Sequence, residues 1–302
     1  MASTYTYDDN ARREDLMDII TNLDFKEFQL VSGLGTSSAK DILHQWLTDT
    51  LKTVGHNAYV ESVDASYPDR TDPARLTNYC QIVRVGFDVS DTERSINAAG
   101  YNDRYAYETQ KALKEYKQDL EFAVLRGSLA CGSGSAARQM RGIKNWFTSH
   151  NVTDNSGVSL SETLLNDRFN DVWDDGTQVD ELYVSMYHKR KISGFTAGST
   201  KFVESSDRRL YNAVDVYEAD AARMVKLFAH RFIKTSADYT GSNNADVVGI
   251  DSSKFRIAYL TGRTPQVREL AKTGDSTKGE VVGEQTLECL HQDAGFIAQG
   301  ML

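Results

Sequence analysis

Apolar positions along this chain of 302 residues follow two periods, and the switches between them outline its elements. Tyr105, Thr109, Ala112, Leu113, Tyr116, Leu120, Ala123 and Val124 recur at 3.6-residue spacing and predict a helix over 102–126. Asn102 or Asp103 can cap its start, and Gly127 with Gly132 ends it. At ~1.5 Å per residue such a helix spans about 38 Å, the length of a structural spine. A shorter stripe of Leu16, Ile19, Ile20 and Leu23 predicts an amphipathic helix over 12–23, followed by a polar, glycine-punctuated stretch over 31–39. Residues 1–40 bury too little to form a core, so this arm is either disordered or fixed by packing on something else.

Alternation takes over in two places. Residues 41–51 and 76–90 read as strands; in the second, Tyr79, Gln81, Val83, Val85, Phe87 and Val89 alternate with a more polar face. The polar connection 52–75 holds Pro68 and Pro73, two of the three prolines. Ten residues of strand reach about 33 Å at ~3.3 Å each, so the pattern predicts a long hairpin projecting from a body. A lone two-stranded hairpin is marginal in water and needs a stabilising neighbour.

Residues 136–249 read as a compact α/β region. Ser159 with Glu162 suggests a capping box before a helix carrying Leu164, Leu165, Phe169, Val172 and Trp173. A buried strand over 181–187 follows Gly176, a short helix starts near His188, and strands are expected at 214–217 and 224–228. The tail offers FRIAYL, then QVREL, a TGDSTKG turn and EVVGEQTLECL; that turn is the strongest hairpin signal in the chain.

Composition narrows the classes. A formal charge of −9 and a pI of about 5.2 argue against a protein held to nucleic acid by phosphate neutralisation. Mean hydropathy is −0.48, and no window approaches the ~18–20 apolar residues that span a bilayer. The polar start at 1–10 matches neither a signal nor a transit peptide. Cys80, Cys131 and Cys289 lie far apart, which excludes a disulfide framework or a CxxC pair and points to a cytosolic product.

No catalytic constellation stands above background. Gly132, Gly134 and Ala137 formally spell G-x-G-x-x-A, but a helix precedes the run where a dinucleotide site needs a strand, so it reads as a connector. Residues 194–201 (GFTAGSTK) fail the phosphate-loop spacing and read as a flexible loop, and no G-x-S-x-G elbow exists. The six histidines never recur at i, i+3 or i+4, so no helical metal pair is expected. His44, on the polar face of a strand, reads as a contact residue. Asp174-Asp175 before Gly176 reads as a helix-ending turn, and the basic run 188–191 as a protein contact or solvated face. No cofactor or metal is expected.

The order of several segments is more telling than any one of them. REDLMDIITNLD (13–24), HQWLTDTL (44–51), RLTNYCQI (75–82), YKQDLEFAVL (116–125), KISGFTAG (191–198), NAVDVYEAD (212–220) and ELAKTGDSTKGEVVGEQTLE (269–288) together resemble the major capsid (major head) proteins of tailed bacteriophages with the Hong Kong 97-type fold. The resemblance covers nearly the whole chain. It implies an α+β fold with an N-terminal arm (1–39), an extended E-loop hairpin (40–87), a peripheral domain (88–135 and 250–290, with the spine helix) and an axial domain (136–249 and 291–302). The TGDSTKG turn would form a peripheral tip near local threefold positions.

The function implied is structural: hexamers and pentamers of an icosahedral head enclosing double-stranded DNA, with no enzymatic activity. Partners implied are further copies of the chain, a separate scaffolding protein, a portal and a decoration protein, with DNA contacted weakly and non-specifically and no membrane. The setting is the virion, assembled in the host bacterial cytoplasm. Lys40 and Lys52 flank the hairpin, but nothing near Asn243 or Asn244 pairs with them, so shell strength is expected from packing rather than a covalent link. Leu16 and Ile20 on the arm, His44, Trp46 and Asp49 on the hairpin, and Lys272, Asp275 and Lys278 at the tip are the expected contacts between copies. An encapsulin-type compartment for protein cargo is the nearest alternative; a soluble α/β enzyme is the more distant one.

Overall fold

A computed structural model describes residues 28–52, 54–65, 67, 70–96, 103–154, 157–195, 216–218, 224–233, 245–272 and 274–302. In chain order these form α1 (Gln29–Gly33), β1 (Gly35–Ala39), β2 (Leu43–Thr48), β3 (Ala74–Tyr79), β4 (Gln81–Ser90), α2 (Asp91–Ser95), α3 (Arg104–Arg126), β5 (Val152–Asp154), α4 (Glu162–Asp174), β6 (Glu181–Val184), α5 (Met186–Ser193), β7 (Val216–Glu218), β8 (Met224–Ala229), β9 (Ala245–Ile250), β10 (Phe255–Leu260), β11 (Gln266–Glu269), β12 (Ser276–Cys289) and β13 (Gly295–Met301). Among the described residues, one compact unit holds Arg84–Tyr116 and Gln266–Val282; the other holds Phe28–Val83, Lys117–Pro265 and Gly283–Leu302. The division falls inside β4, α3 and β12.

In the smaller unit β11 pairs antiparallel with the first half of β12, from Gln266 opposite Val282 to Glu269 opposite Gly279. Gly279 is there because two rings lie over it: a Cβ would stand 2.5 Å from Phe87 Cζ and 2.7 Å from Tyr105 Oη. Those rings meet at a centroid distance of 5.2 Å, with the Arg94 guanidinium 5.4 Å from the Tyr105 ring centre.

The larger unit is built on a six-stranded mixed sheet in the order β5-β13-β9-β6-β8-β7. Its middle strands β6 and β9 are buried along their whole length. Leu165, Phe169 and Val172 of α4 and Ile192 of α5 pack on Leu182, Val184, Val225, Leu227, Val247 and Phe296 of the sheet. Gly249 lies directly beneath the Phe296 ring, where any Cβ would collide. In the same unit β1 runs parallel to β10, β10 runs antiparallel to the second half of β12, and β2 pairs with β3.

Several sequence expectations hold. The long helix starts two residues late, and the Asp103 carboxylate accepts the Tyr105 N–H at 3.0 Å as a cap. Gly176, in the left-handed region at φ 86°, ends α4 after Asp174 and Asp175. The 266–289 hairpin forms around the TGDSTKG turn, and residues 131–137 form a turn inside the isolated Ala130–Gln139 bridge.

Others are corrected. The projecting hairpin has six-residue strands rather than ten, because the chain breaks at Cys80 and the second segment splits into β3 and β4. The Cys80 N–H returns to Ile42 O at 2.8 Å, and β4 leaves to pair with β12. The cap of α4 is Ser161, whose hydroxyl accepts the Leu164 N–H at 3.3 Å; Ser159 instead accepts from Lys191 Nζ at 2.7 Å. The strand at 181 stops at Val184, since Ser185 caps a helix beginning at Met186. For the arm, packing on something else is one of the two expected alternatives, and residues 35–39 do pack: they form β1 on β10 of the same chain, with Leu30, Leu34 and Ala39 buried. The expected helix over 12–23 lies outside the described residues, as do positions 196–201 of the expected loop 194–201.

α3 passes into the following segment by a close crossing of two glycines. A Cβ on Gly142 would lie 2.5 Å from Gly127 N and 2.8 Å from Ala123 O, whereas Gly134 has open space around it. Gly142→Ala is therefore expected to lower unfolding free energy by about 2 kcal/mol through overpacking. Gly134→Ala is expected to change it by less than about 0.5 kcal/mol; denaturant titration of both variants measures the contrast.

Candidate functional site

The hairpin β2/β3 and its connection, residues 49–73, concentrate exposed apolar side chains. Leu51 and Val54 are each 98% exposed and Tyr67 90%, joined by Leu47, Tyr59, Val60 and Val63. Single exposed apolar residues are ordinary; a run of large ones on one hairpin and its connection is not.

The root of this hairpin is held firmly. Asn78, fully buried, donates from Nδ2 to Leu287 O at 2.7 Å and Arg141 O at 3.2 Å, while its Oδ1 accepts the Arg141 N–H at 2.8 Å and the Tyr79 N–H at 2.9 Å. Both ends of the carboxamide are satisfied, so burial carries no unpaired polar group. The Trp46 indole N–H donates to Cys289 O at 2.7 Å, and its ring meets Trp146 at 5.5 Å and His44 at 5.4 Å. His44 Nε2 lies 3.9 Å from Glu288, whose carboxylate accepts the Ser37 hydroxyl at 2.6 Å.

The hairpin residues expected from sequence are thus divided. Trp46 and His44 face their own chain's β12 end, whereas Asp49 is exposed at the beginning of the connection. Leu16 and Ile20 lie outside the described residues. At the tip, Lys272 Nζ meets the Asp91 carboxylate at 2.9 Å, the Thr277 hydroxyl donates to the same group at 2.8 Å, and the Asp91 N–H reaches Asp275 O at 3.4 Å. The Lys272 and Thr277 hydrogen bonds hold the Asp91 carboxyl below the usual aspartate value. Lys278 O accepts the Leu270 N–H at 2.9 Å, closing the hairpin loop.

Two groups escaped sequence reasoning. Asn78 resembles any polar residue in an alternating strand until the carbonyls around it are known. From Val54 to Tyr67 the exposed row lies in the connection 52–75 read as polar, because its apolar residues follow neither period, whereas Leu47 and Leu51 lie in the segment read as a strand; the number of apolar residues in a connecting loop was the available signal.

Two of the three cysteines are buried in the body that holds this hairpin. Burial pushes the Cys80 thiol up to about 11 and the Cys289 thiol up to about 12, so both stay protonated and poorly nucleophilic. Among the described residues no group of three His, Cys, Asp or Glu side chains is placed to hold a metal ion, and no helix is long and apolar enough to cross a membrane.

Several solved structures share this architecture. The holo-SrpI encapsulin complex from Synechococcus elongatus PCC 7942 superposes with a TM-score of 0.63 at 12% identity, covering 100% of this chain and 96% of that one. Microbacterium phage Oxtober96 gives 0.64 at 14% identity with 96% of both chains covered. The capsid of a native GTA particle gives 0.65 at 9% identity, covering 98% and 97%. At these identities the likeness concerns the fold alone, the Hong Kong 97-type capsid fold. In sequence, the major capsid protein of Escherichia phage Phieco32 is 29% identical over 159 residues, 52% of this chain and 43% of that relative, so the match spans less than half of the relative's length. The family model for SU10 major capsid proteins matches residues 2–301, and the chain belongs to that family.

Proposed function

We propose that the chain is the building block of an icosahedral phage head, assembling with its own copies into hexamers and pentamers around double-stranded DNA and doing no catalysis. The observation that carries this reading is the row of exposed apolar side chains on a well-anchored hairpin. A free copy leaves that surface in water; a neighbouring copy removes it, and many such contacts in a closed shell add so that each can be weak. In this reading residues 1–39 are the arm, 40–87 the E-loop, 88–135 with 250–290 the peripheral domain and 136–249 with 291–302 the axial domain. Leu16, Ile20, Asp49, Lys272, Asp275 and Lys278 are proposed as contacts between copies. Trp46 and His44 act there by orienting the hairpin from its root. A separate scaffolding protein, a portal and a decoration protein complete the proposed set, assembly occurs in the host cytoplasm, and an acidic subunit lets packaged DNA slide rather than stick.

An encapsulin-type compartment shares the fold, and recovery of DNA-free shells filled with an enzyme from the native source would favour it. Family membership favours the phage head.

Sedimentation velocity and negative-stain microscopy of the purified chain test the proposal: capsomers or shells are expected, and a monomer at every concentration overturns it. Leu51→Asp with Val54→Asp is expected to abolish large particles while leaving far-UV circular dichroism and Tm unchanged, because neither side chain touches the folded body. Trp46→Ala is expected to lower Tm as well, since it removes an indole hydrogen bond and two ring contacts.

The tip adds a pH prediction. Asp91 has a folded-state carboxyl value below its unfolded one, so its contribution is complete above the ordinary aspartate range and disappears as pH falls through the lowered value. The Tm difference between the native chain and Asp91→Asn is therefore expected to be largest near neutrality and to vanish on acidification; a difference independent of pH contradicts the assigned clip.

A further inference from the structure

Helix α1 starts without a cap of its own: Phe28 provides no side-chain hydrogen bond to its first amides. The missing acceptor comes from the middle of α3. Glu121, fully buried, accepts the Leu30 N–H at Oε1 and the Val31 N–H at Oε2, both at 2.8 Å. His230 Nε2 lies 2.9 Å from Oε1. Three donors therefore converge on one carboxylate, a number its ionised form can serve. His230 Nδ1 is buried and has no hydrogen-bond partner, and the contact with Oε1 places a ring proton on Nε2.

We propose that Glu121 is an acid-opened latch: when its carboxylate takes up a proton, residues 29–34 come away from α3 while the six-stranded sheet remains folded. A protonated carboxyl has one oxygen turned from acceptor to donor, and that proton then faces amides and an imidazole that are donors themselves. Residues 29–34 carry α1 and lead directly into β1, so opening the latch frees the hold of this segment on α3.

The other charged and titratable groups around the latch do not take over its role. α1 carries no acidic or basic side chain in its first or last turn. From β6, Glu181 lies beside Gly33, but its carboxylate accepts the Tyr183 hydroxyl at 2.7 Å rather than an α1 amide. Burial raises the values of both groups, and the Tyr183 ring meets His230 edge-on at 5.8 Å. Asp180 accepts the Ser252 N–H at 2.7 Å, and Lys226 faces Glu181. On α3 itself, Lys117 Nζ lies 6.0 Å from the Phe28 ring centre and Arg126 donates to Phe232 O at 3.2 Å.

Hydrogen exchange read by mass spectrometry on the full chain tests the latch, comparing the peptide covering 28–34 with the buried strand β9 as internal reference. After correction for intrinsic rates, exchange at 28–34 relative to β9 is expected to rise about tenfold per pH unit across the opening, as one linked proton requires, and to reverse on neutralisation. Glu121→Gln, which offers one acceptor where the amides need two, is expected to exchange quickly and without pH dependence. His230→Gln keeps a donor aimed at Glu121 and is expected to keep the acid response, which preserves the test if Glu121→Gln does not fold. Protection at 28–34 that ignores acid, that is lost only in step with β9, or that follows the native profile in Glu121→Gln overturns the proposal.

Discussion

A segment that cannot bury its own side chains has a defined position only if its root is rigid, and here rigidity rests on the carboxamide of Asn78. Buried completely, it donates to carbonyls of β12 and of the segment after α3 and accepts an amide from the latter. Asn is suited to this because it alone of the small polar residues carries donor and acceptor on one planar group. Trp46 adds a second tie through its indole N–H, and the Cys80 amide closes the base of the ladder on Ile42. The exposed row from Leu47 to Tyr67 is thereby carried on a fixed stem, and the proposed assembly contacts depend on that stem.

The body supplying this stem is stable for ordinary reasons. The central strands β6 and β9 are covered on both faces, and three of the buried carboxylates are answered by a cation or several donors. Asp246 of β9 pairs with Lys144 and accepts the Gly300 N–H at 3.0 Å. Glu284 of β12 sits between Arg138 and Arg263, at 2.6 and 2.9 Å. Glu121 has three donors. Breaking such an arrangement by removing one side strands a buried charge, which is why these groups specify the fold more than they add to its stability.

Much of the architecture was legible in the chain. Elements with a clean period were found: α3 by its 3.6-residue stripe, β4 by alternation, the 266–289 hairpin by its turn. Strands β9 and β13 were not foreseen, and both misses have physical causes. ADVVGI is buried on both faces, so it shows no alternation, and its Asp246 looks like a surface residue until Lys144 is seen beside it. GFIAQGM is punctuated by glycines that usually mean loops; Gly295 is required by the backbone of Gly249, and Gly300 sits at φ 65° beside a register shift. At the candidate site the hairpin itself was legible, because β-pairing is local. The inward turn of Trp46 and the anchoring by Asn78 were not, because both partners lie more than sixty residues away in sequence.

The connection from 49 to 73 also has to be tolerable before any neighbour arrives. Sticky side chains this naked would coalesce indiscriminately in a crowded cell. Asp49, Glu61, Asp64 and Asp72 are interleaved among them and exposed, and outnumber the exposed Lys52 and Arg70 of the same stretch. Acidic gatekeepers of this kind discourage random clumping while leaving a shape-matched, less negative acceptor attractive. Like-charged newborn subunits would then tolerate collision without clotting, and mobile counterions, by thinning that repulsion, would set how readily order emerges from the crowd.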